Sequence, residues 1–579
     1  MSLFPSRALL VAIGLMLSLT GCMVPERNFN AATVFVGGRI YTADAEAREA
    51  QAVAVRDGTI VYVGYEQGIA PWLPQAKEIV PLQGATLLPG LIDGHTHPGI
   101  LSLFASTDLI AAPDPQPDKL LAWLKDYAEH NPAVPFIIAG FWRTGDFGIG
   151  GPHKDMIDQY ISDRPVALMD DSGHSMWLNS KALELIGVDE STPDPAPGLA
   201  FFARDEHNNP TGWVKEFASA PVQEHILKPR NPALFERNLE KFLGYLSSQG
   251  VTALYDGGNL WLHDSVYPVL AKLDQEGRLP LHYEGTVHVH LPEQIELAIE
   301  ELKRLRRLYG SERLRFNTIK IHFDGVHEIR TSAVLEAFAG DPHNRGGTLV
   351  SQERLARFMQ ELEREKMDLH LHVVGDRATR VALDAYESVR QPDWQYPRLT
   401  LCHLELVNDD DIARFKELGV VANFTPHWFG DLFQGGDETL GVRNNEKMRA
   451  KSFFEAGALV SFSSDVVAPT EMTRANPFLG MQVGINRQEP EGGPDARIMS
   501  PVQERLTLEQ LLQGYTANAA HQLRLGDRMG SIAVGKQADL VIVEGDLITR
   551  DAYDIANTRV LKTMSNGVWV YQDNSAINQ

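Results

Sequence analysis

Cysteine is nearly absent, with two residues in 579, Cys22 and Cys402. A disulfide framework is excluded, so stability has to come from a buried core. Cationic surface is scarce as well. The chain sets 53 lysines and arginines against 76 aspartates and glutamates, and its net charge of −23 repels phosphate backbones and anionic headgroups. The longest basic cluster, Lys303-Arg304-Leu305-Arg306-Arg307, lies where Ile295, Ile299, Leu302 and Leu305 recur with helical spacing, which makes it a solvated helix face. A nucleic-acid partner is therefore not expected. Solenoid repeats and low-complexity tracts are also missing, which excludes repeat arrays.

Arg7 precedes an uncharged apolar run, Ala8 to Leu19, too short for a comfortable membrane-spanning helix and of signal-peptide length. The run closes on Leu19-Thr20-Gly21-Cys22, which resembles the bacterial lipobox. That resemblance implies residues 1–22 as a lipoprotein signal, with Cys22 acylated on sulfur after cleavage. Buried lipid chains contribute about 0.8 kcal/mol per CH2, so a multiply acylated cysteine holds a protein stably on a membrane. Met23 in the next position fits the outer-membrane pattern. The expected location is the cell envelope, lipid-anchored and facing the periplasm.

What is present is an ordinary globular composition, 44% hydrophobic and 22% charged, with length for a large core or several domains. Short β runs at Thr33–Val36, Ala52–Val55 and Ile60–Val63, punctuated by Gly37-Gly38 and Asp57-Gly58, predict a small antiparallel sheet. Matching runs return at Ala538–Val543 and Val568–Tyr571, so residues 28–88 plus 528–575 are expected to form one composite β-sandwich. Between them, strand-like runs fall near 86–95, 251–256, 280–287, 315–323, 367–374, 398–404, 419–424 and 458–464, mostly separated by helical segments. Eight alternations predict an α/β fold, a closed (β/α)8 barrel over residues 89–527. The long stretch between the first two runs predicts an insertion at 101–250, a lid, a substrate subdomain or a dimer surface.

The strongest local signal is Leu88 to His97, an apolar run ending in His95-Thr96-His97. Residues i and i+2 of a strand share a face, so both imidazoles are expected at the barrel mouth, where they suit a borderline ion such as zinc. The fourth run places Thr318, Lys320, His322 and Asp324 on the inward side, with Ile319, Ile321 and Phe323 facing the helices. Buried ionisable groups are costly unless paired or metal-bound. The fifth run sends His370 and His372 inward, the sixth offers Cys402-His403-Leu404-Glu405, and the eighth ends in Ser463-Ser464-Asp465.

Taken together with Gly173-His174, Trp177-Leu178-Asn179-Ser180, Thr211-Gly212, Asp324-Gly325, His372 to Asp376, Thr516 to Ala520 and Gly530 to Leu540, this set resembles the amidohydrolase superfamily. The branch is amidohydrolase family 3, which includes N-substituted formamide deformylases. The resemblance implies that His95 and His97 hold one divalent ion, that His372 and His403 hold a second, and that Lys320 bridges them as a carbamate derived from carbon dioxide. Asp465 would ligate the first metal and accept the proton of the attacking water. A mononuclear site with an unmodified Lys320, or with His322 or His370 as a ligand, remains a second arrangement. The motif after Asp324-Gly325 departs from the family's small residues, since Val326-His327-Glu328 follow.

Substrate contacts are less legible. His174 is a candidate for stabilising the oxyanion, and Trp142, Trp213, Arg330, His427 and Trp428 are pocket candidates by position. The expected activity is hydrolysis of non-peptide C–N bonds in a small amide, formamide or cyclic imide. An esterase, lactonase or phosphoesterase uses the same chemistry, and a noncatalytic ligand-binding lipoprotein keeps the same fold.

Overall fold

The structure is a computed structural model that describes residues 32–44, 49–107, 110–226, 228–229, 231–430 and 436–573. The signal segment and Cys22 lie outside the described residues. Eight parallel strands follow one another in a single sheet: β1 (Leu91–Thr96), β2 (Val251–Asp256), β3 (His282–Val289), β4 (Leu314–His322), β5 (Asp368–Val373), β6 (Leu399–His403), β7 (Val421–Phe424) and β8 (Leu459–Phe462). Each coincides with one of the eight runs predicted from sequence. Ile319, Ile321 and Phe323 are buried in the apolar layer against the helices, while Lys320 and His322 face the interior. That alternation is the two-residue period of a strand.

Between β8 and β1 the ladder is replaced by a seam. Ser464 N–H and Oγ donate to Asp93 at 3.0 and 2.5 Å, and Asp465 N–H donates to His95 O at 2.9 Å. Gln522 Nε2, from the helix Ala517–Gln522, donates to Gly94 O at 2.7 Å. The barrel is thus nearly closed, and the residues that close it adjoin the histidines of β1.

The terminal segments join in one sheet, ordered Val568–Gln572, Val560–Ser565, Leu540–Val543, Thr86–Pro89, Thr33–Tyr41, Glu49–Arg56, Thr59–Gly64. It is mixed rather than antiparallel throughout. Thr33–Tyr41 runs parallel to both Glu78–Pro81 and Thr86–Pro89, because the chain crosses over through the turn Glu66–Ile69 before returning. Between β1 and β2 a third sheet forms, ordered Phe201–Arg204, Pro210–Lys215, Ser175–Leu178, Val166–Asp170, Ile137–Trp142, Ile110–Ala111. Its core of Trp142, Leu168 and Trp177 continues into Val326, Ile329 and Val374, residues that follow β4 and β5. The inserted unit therefore rests on the carboxyl end of the barrel, the end at which such barrels carry their sites.

Candidate metal centre

Six side chains from five strand ends converge in a cavity of about 350 Å³. His95 Nε2 and His97 Nε2 are 3.3 Å apart, and both face Asp465 Oδ1, at 3.4 and 3.2 Å. His403 Nδ1 stands 3.5 Å from Asp465 Oδ2, and the His403 ring lies 4.5 Å from that of His372. Lys320 Nζ lies 3.4 Å from His95 Nε2 and donates to Cys402 Sγ at 3.2 Å.

The ring orientations are set by partners on the far side. His97 Nδ1 donates to Gly258 O at 3.0 Å, which leaves Nε2 as the free lone pair. His370 Nε2 meets His95 Nδ1 at 2.9 Å and stacks on Tyr255 at 4.5 Å. His370 therefore orients His95 and leaves its Nε2 for the centre, the arrangement by which outer groups fix metal-ligating imidazoles. Burial, reinforced by neighbouring cationic groups, holds His95, His372 and His403 well below the usual imidazole range. The neutral ring is the form that ligates a metal. His372 Nδ1 and His403 Nδ1 are buried with no hydrogen-bond partner, and His95, His403 and Asp465 bring their ligand atoms within 4.8 Å of one another. Buried nitrogens that make no hydrogen bond and stand 3.5 Å from a carboxylate, His403 Nδ1 from Asp465 and His372 Nδ1 from Asp324, fit a divalent cation.

Space around the centre is tight. A Cβ built on Gly257 would lie 2.4 Å from His95 Nε2 and 2.8 Å from His97 Cε1. Gly257→Ala is accordingly expected to push both imidazoles aside and to lower bound metal at least tenfold in affinity. Metal analysis of the dialysed variant checks this, and an unchanged metal content would contradict it.

A second polar cluster flanks the first. His174 Nδ1 and His322 Nε2 donate to the same oxygen of Glu216, at 2.8 and 3.1 Å, and Thr331 Oγ1 donates to the other at 2.6 Å. Burial opposes charge on both His174 and Glu216. Their mutual attraction wins, raising His174 to about 9 and holding Glu216 below the ordinary carboxylate range. His322, committed to Glu216, sits with its ring 4.1 Å from that of His372. Asp324 anchors backbone beside the centre, accepting from Val374, Gly375 and Ala333 N–H at 2.9 to 3.0 Å, and its Oδ1 lies 3.5 Å from His372 Nδ1.

The proposed substrate contacts separate. Trp142 is fully buried, donates Nε1–H to Leu168 O at 3.0 Å and packs on Trp177; it belongs to the core of the insertion, not the cavity wall, because nothing in its local sequence distinguished the two. His427 is buried and bonded to Asn476 O at 3.1 Å, away from the cavity. Trp213 and Arg330 line an adjoining outer chamber of about 720 Å³. Trp428 stacks on His403 at 5.3 Å and lines the inner cavity. Glu216 was not marked by sequence reasoning, since it lies 106 residues from its partner His322. His288 and His290 were also passed over, although their spacing repeats the signal read at His95 and His97.

The comparisons agree with this geometry. The amidohydrolase family model matches residues 78–571, and the chain belongs to the amidohydrolase family. It is 28% identical over 424 residues to the exoenzymes regulatory protein AepA of Pectobacterium carotovorum subsp. carotovorum, covering 71% of this chain and 89% of that one. It is 25% identical over 552 residues to N-substituted formamide deformylase of Arthrobacter pascens, covering 93% and 98%. In fold it is similar to the crystal structure of an uncharacterized metal-dependent hydrolase from Pyrococcus furiosus, with a TM-score of 0.62, 23% identity and coverage of 90% and 100%. The protein is a metal-dependent hydrolase of the amidohydrolase superfamily.

Proposed function

We propose that the protein hydrolyses a non-peptide C–N bond, in an amide, formamide or cyclic imide carrying an apolar substituent. The observation that carries this is the convergence of His95, His97, His403 and Asp465 around Lys320 in a cavity whose wall also presents Phe104, Phe141, Met169, Phe217, Trp261 and Trp428. In this reading His95, His97 and Asp465 would hold one divalent ion such as zinc, His372 and His403 would hold a second, and Lys320, as its carbamate, would be a ligand to both. Bound zinc supplies Lewis acidity, lowering the pKa of a coordinated water from about 15.7 to about 7 and polarising a carbonyl.

The remaining steps fall to the chain. Asp465 accepts the proton of the attacking water and returns it to the leaving nitrogen, which would otherwise depart as a poor anion. His174, kept cationic by Glu216, donates a hydrogen bond to the oxyanion. The aromatic wall orients the substituent and excludes water. His174→Ala is expected to lower kcat about 10²-fold with little change in KM, as loss of one oxyanion donor does elsewhere; a change confined to KM would place His174 in binding alone.

Matched amides and esters sharing one aromatic substituent, assayed with and without chelator, test the activity. Chelator-sensitive turnover of the amides is expected. Turnover of the esters alone would replace this reading with an esterase, and binding without turnover would replace it with a ligand-binding protein. The same proposal places the protein on the envelope through acylated Cys22, so labelled palmitate should enter the chain and be lost in Cys22→Ser.

A further inference from the structure

His288 stands in the reaction cavity with nothing to bond. It is 6% exposed, lines the cavity from β3, and neither of its ring nitrogens has a hydrogen-bond partner. A buried polar group left unpaired forfeits its hydration with no return. The ring is also held in place. A Cβ at Gly258, whose φ is 133°, would lie 2.4 Å from His288 Nδ1, and Phe217 meets the ring edge-on at 5.8 Å.

In the β3–β4 ladder His288 is the register partner of Lys320. Side chains so paired project from the same face of strands about 4.8 Å apart. On the opposite side, the register partner of Lys320 is His370, already engaged with His95 Nδ1. Cys402 accepts from Lys320 Nζ and gives its own proton to Leu371 O, at 3.2 Å each. The neighbours of Lys320 on that side are thus committed, and His288 is not.

We propose that His288 is a positioning residue that hydrogen-bonds the carbamate of Lys320 and so sets how readily that carbamate forms. The proposal rests on the carbamate reading above. In carboxylation the neutral Lys320 amine attacks the carbon of carbon dioxide. A C–N bond forms, one C–O π pair moves onto oxygen, and the nitrogen releases one proton to solvent. A neutral amine becomes a buried anion with two oxygens, and a buried anion needs donors. A ring N–H of His288 supplies one through a charge-assisted bond.

The test uses the full chain in detergent, loaded with zinc and titrated with ¹³C-bicarbonate, and reads the carbamate resonance by NMR alongside zinc content and thermal midpoint. His288→Phe should need at least tenfold more bicarbonate for half the signal, and His288→Gln, which keeps a donor, should recover most of the loss. A titration of His288→Phe matching the parent overturns the proposal, even if substrate affinity falls. Should that variant not fold, the His288 ring ¹⁵N resonances of the parent decide: they shift on carboxylation, or the proposal fails. A parent with no carbamate resonance at any bicarbonate concentration removes the carbamate reading itself, and this proposal with it.

Discussion

Lys320→Ala is expected to cut bound zinc from close to two equivalents to one or fewer, and to abolish amide hydrolysis to within background. An ammonium cannot ligate a cation, whereas its carbamate is an anionic oxygen ligand, so under the proposed mechanism removal of the side chain would take away the bridge and not merely a neighbour. Cys402, which touches Lys320 Nζ at 3.2 Å, has its thiol pushed up to about 12 by burial and so offers no anion of its own to take the place of the lysine. Elemental analysis of parent and variant, each purified without chelator in bicarbonate buffer, checks this. One equivalent in both would demote Lys320 to a neighbour of a mononuclear site. A folded parent that stays metal-free after reconstitution would sink the hydrolase mechanism.

The second large effect is on chemistry. Asp465→Asn should lower kcat by about 10²–10⁴-fold, the range for loss of a general base, while the protein stays folded. Asparagine preserves the volume and tolerates the left-handed backbone of this position, φ 51°. It can neither accept the proton of water nor balance the charge of a cation beside His95, His97 and His403. A kcat within tenfold of the parent, at full metal loading, would move the base elsewhere.

The barrel was legible because its strands obey one rule. Each buries both faces, so each reads as an apolar run, and the polar exceptions on alternate residues mark the interior: Lys320 and His322 between Ile319, Ile321 and Phe323. The same rule would have misplaced His403. With Cys402 inward against Lys320, strict alternation sends His403 outward. The chain instead turns left-handed at His403 and Leu404, φ 76° and 48°, which swings the imidazole back towards Asp465. Its place at the end of the sixth run made it a candidate beside Cys402 and Glu405, and only the family resemblance singled it out as a ligand, since strand period carries no information about the turn that ends the strand. Such sparsely populated backbone collects at functional sites.

Sequence reasoning did less well where partners are far apart. Glu216 receives both His174 and His322, yet its own neighbourhood carries no spacing that points to either. Aromatic residues of the insertion offered no period at all, so Trp142 was assigned to a wall when it fills a core. Orientation was equally hidden: sequence could not tell that His370 serves His95 from behind, because both orders of the pair satisfy the same pattern.

The composite sheet has a consequence for synthesis. Thr86–Pro89, which leads into β1, pairs along one edge with Leu540–Val543, and Thr86 Oγ1 donates to Gly545 O across a separation of 459 residues. While a ribosome is still building the barrel, that edge waits without its neighbour. An unpaired strand edge is a template for other chains, and large proteins are at greatest risk of aggregation while such edges are open. Nascent chains stalled or clipped before residue 540 should therefore aggregate rather than persist as active fragments, so a strand translated after the barrel works as a seal on one translated before it.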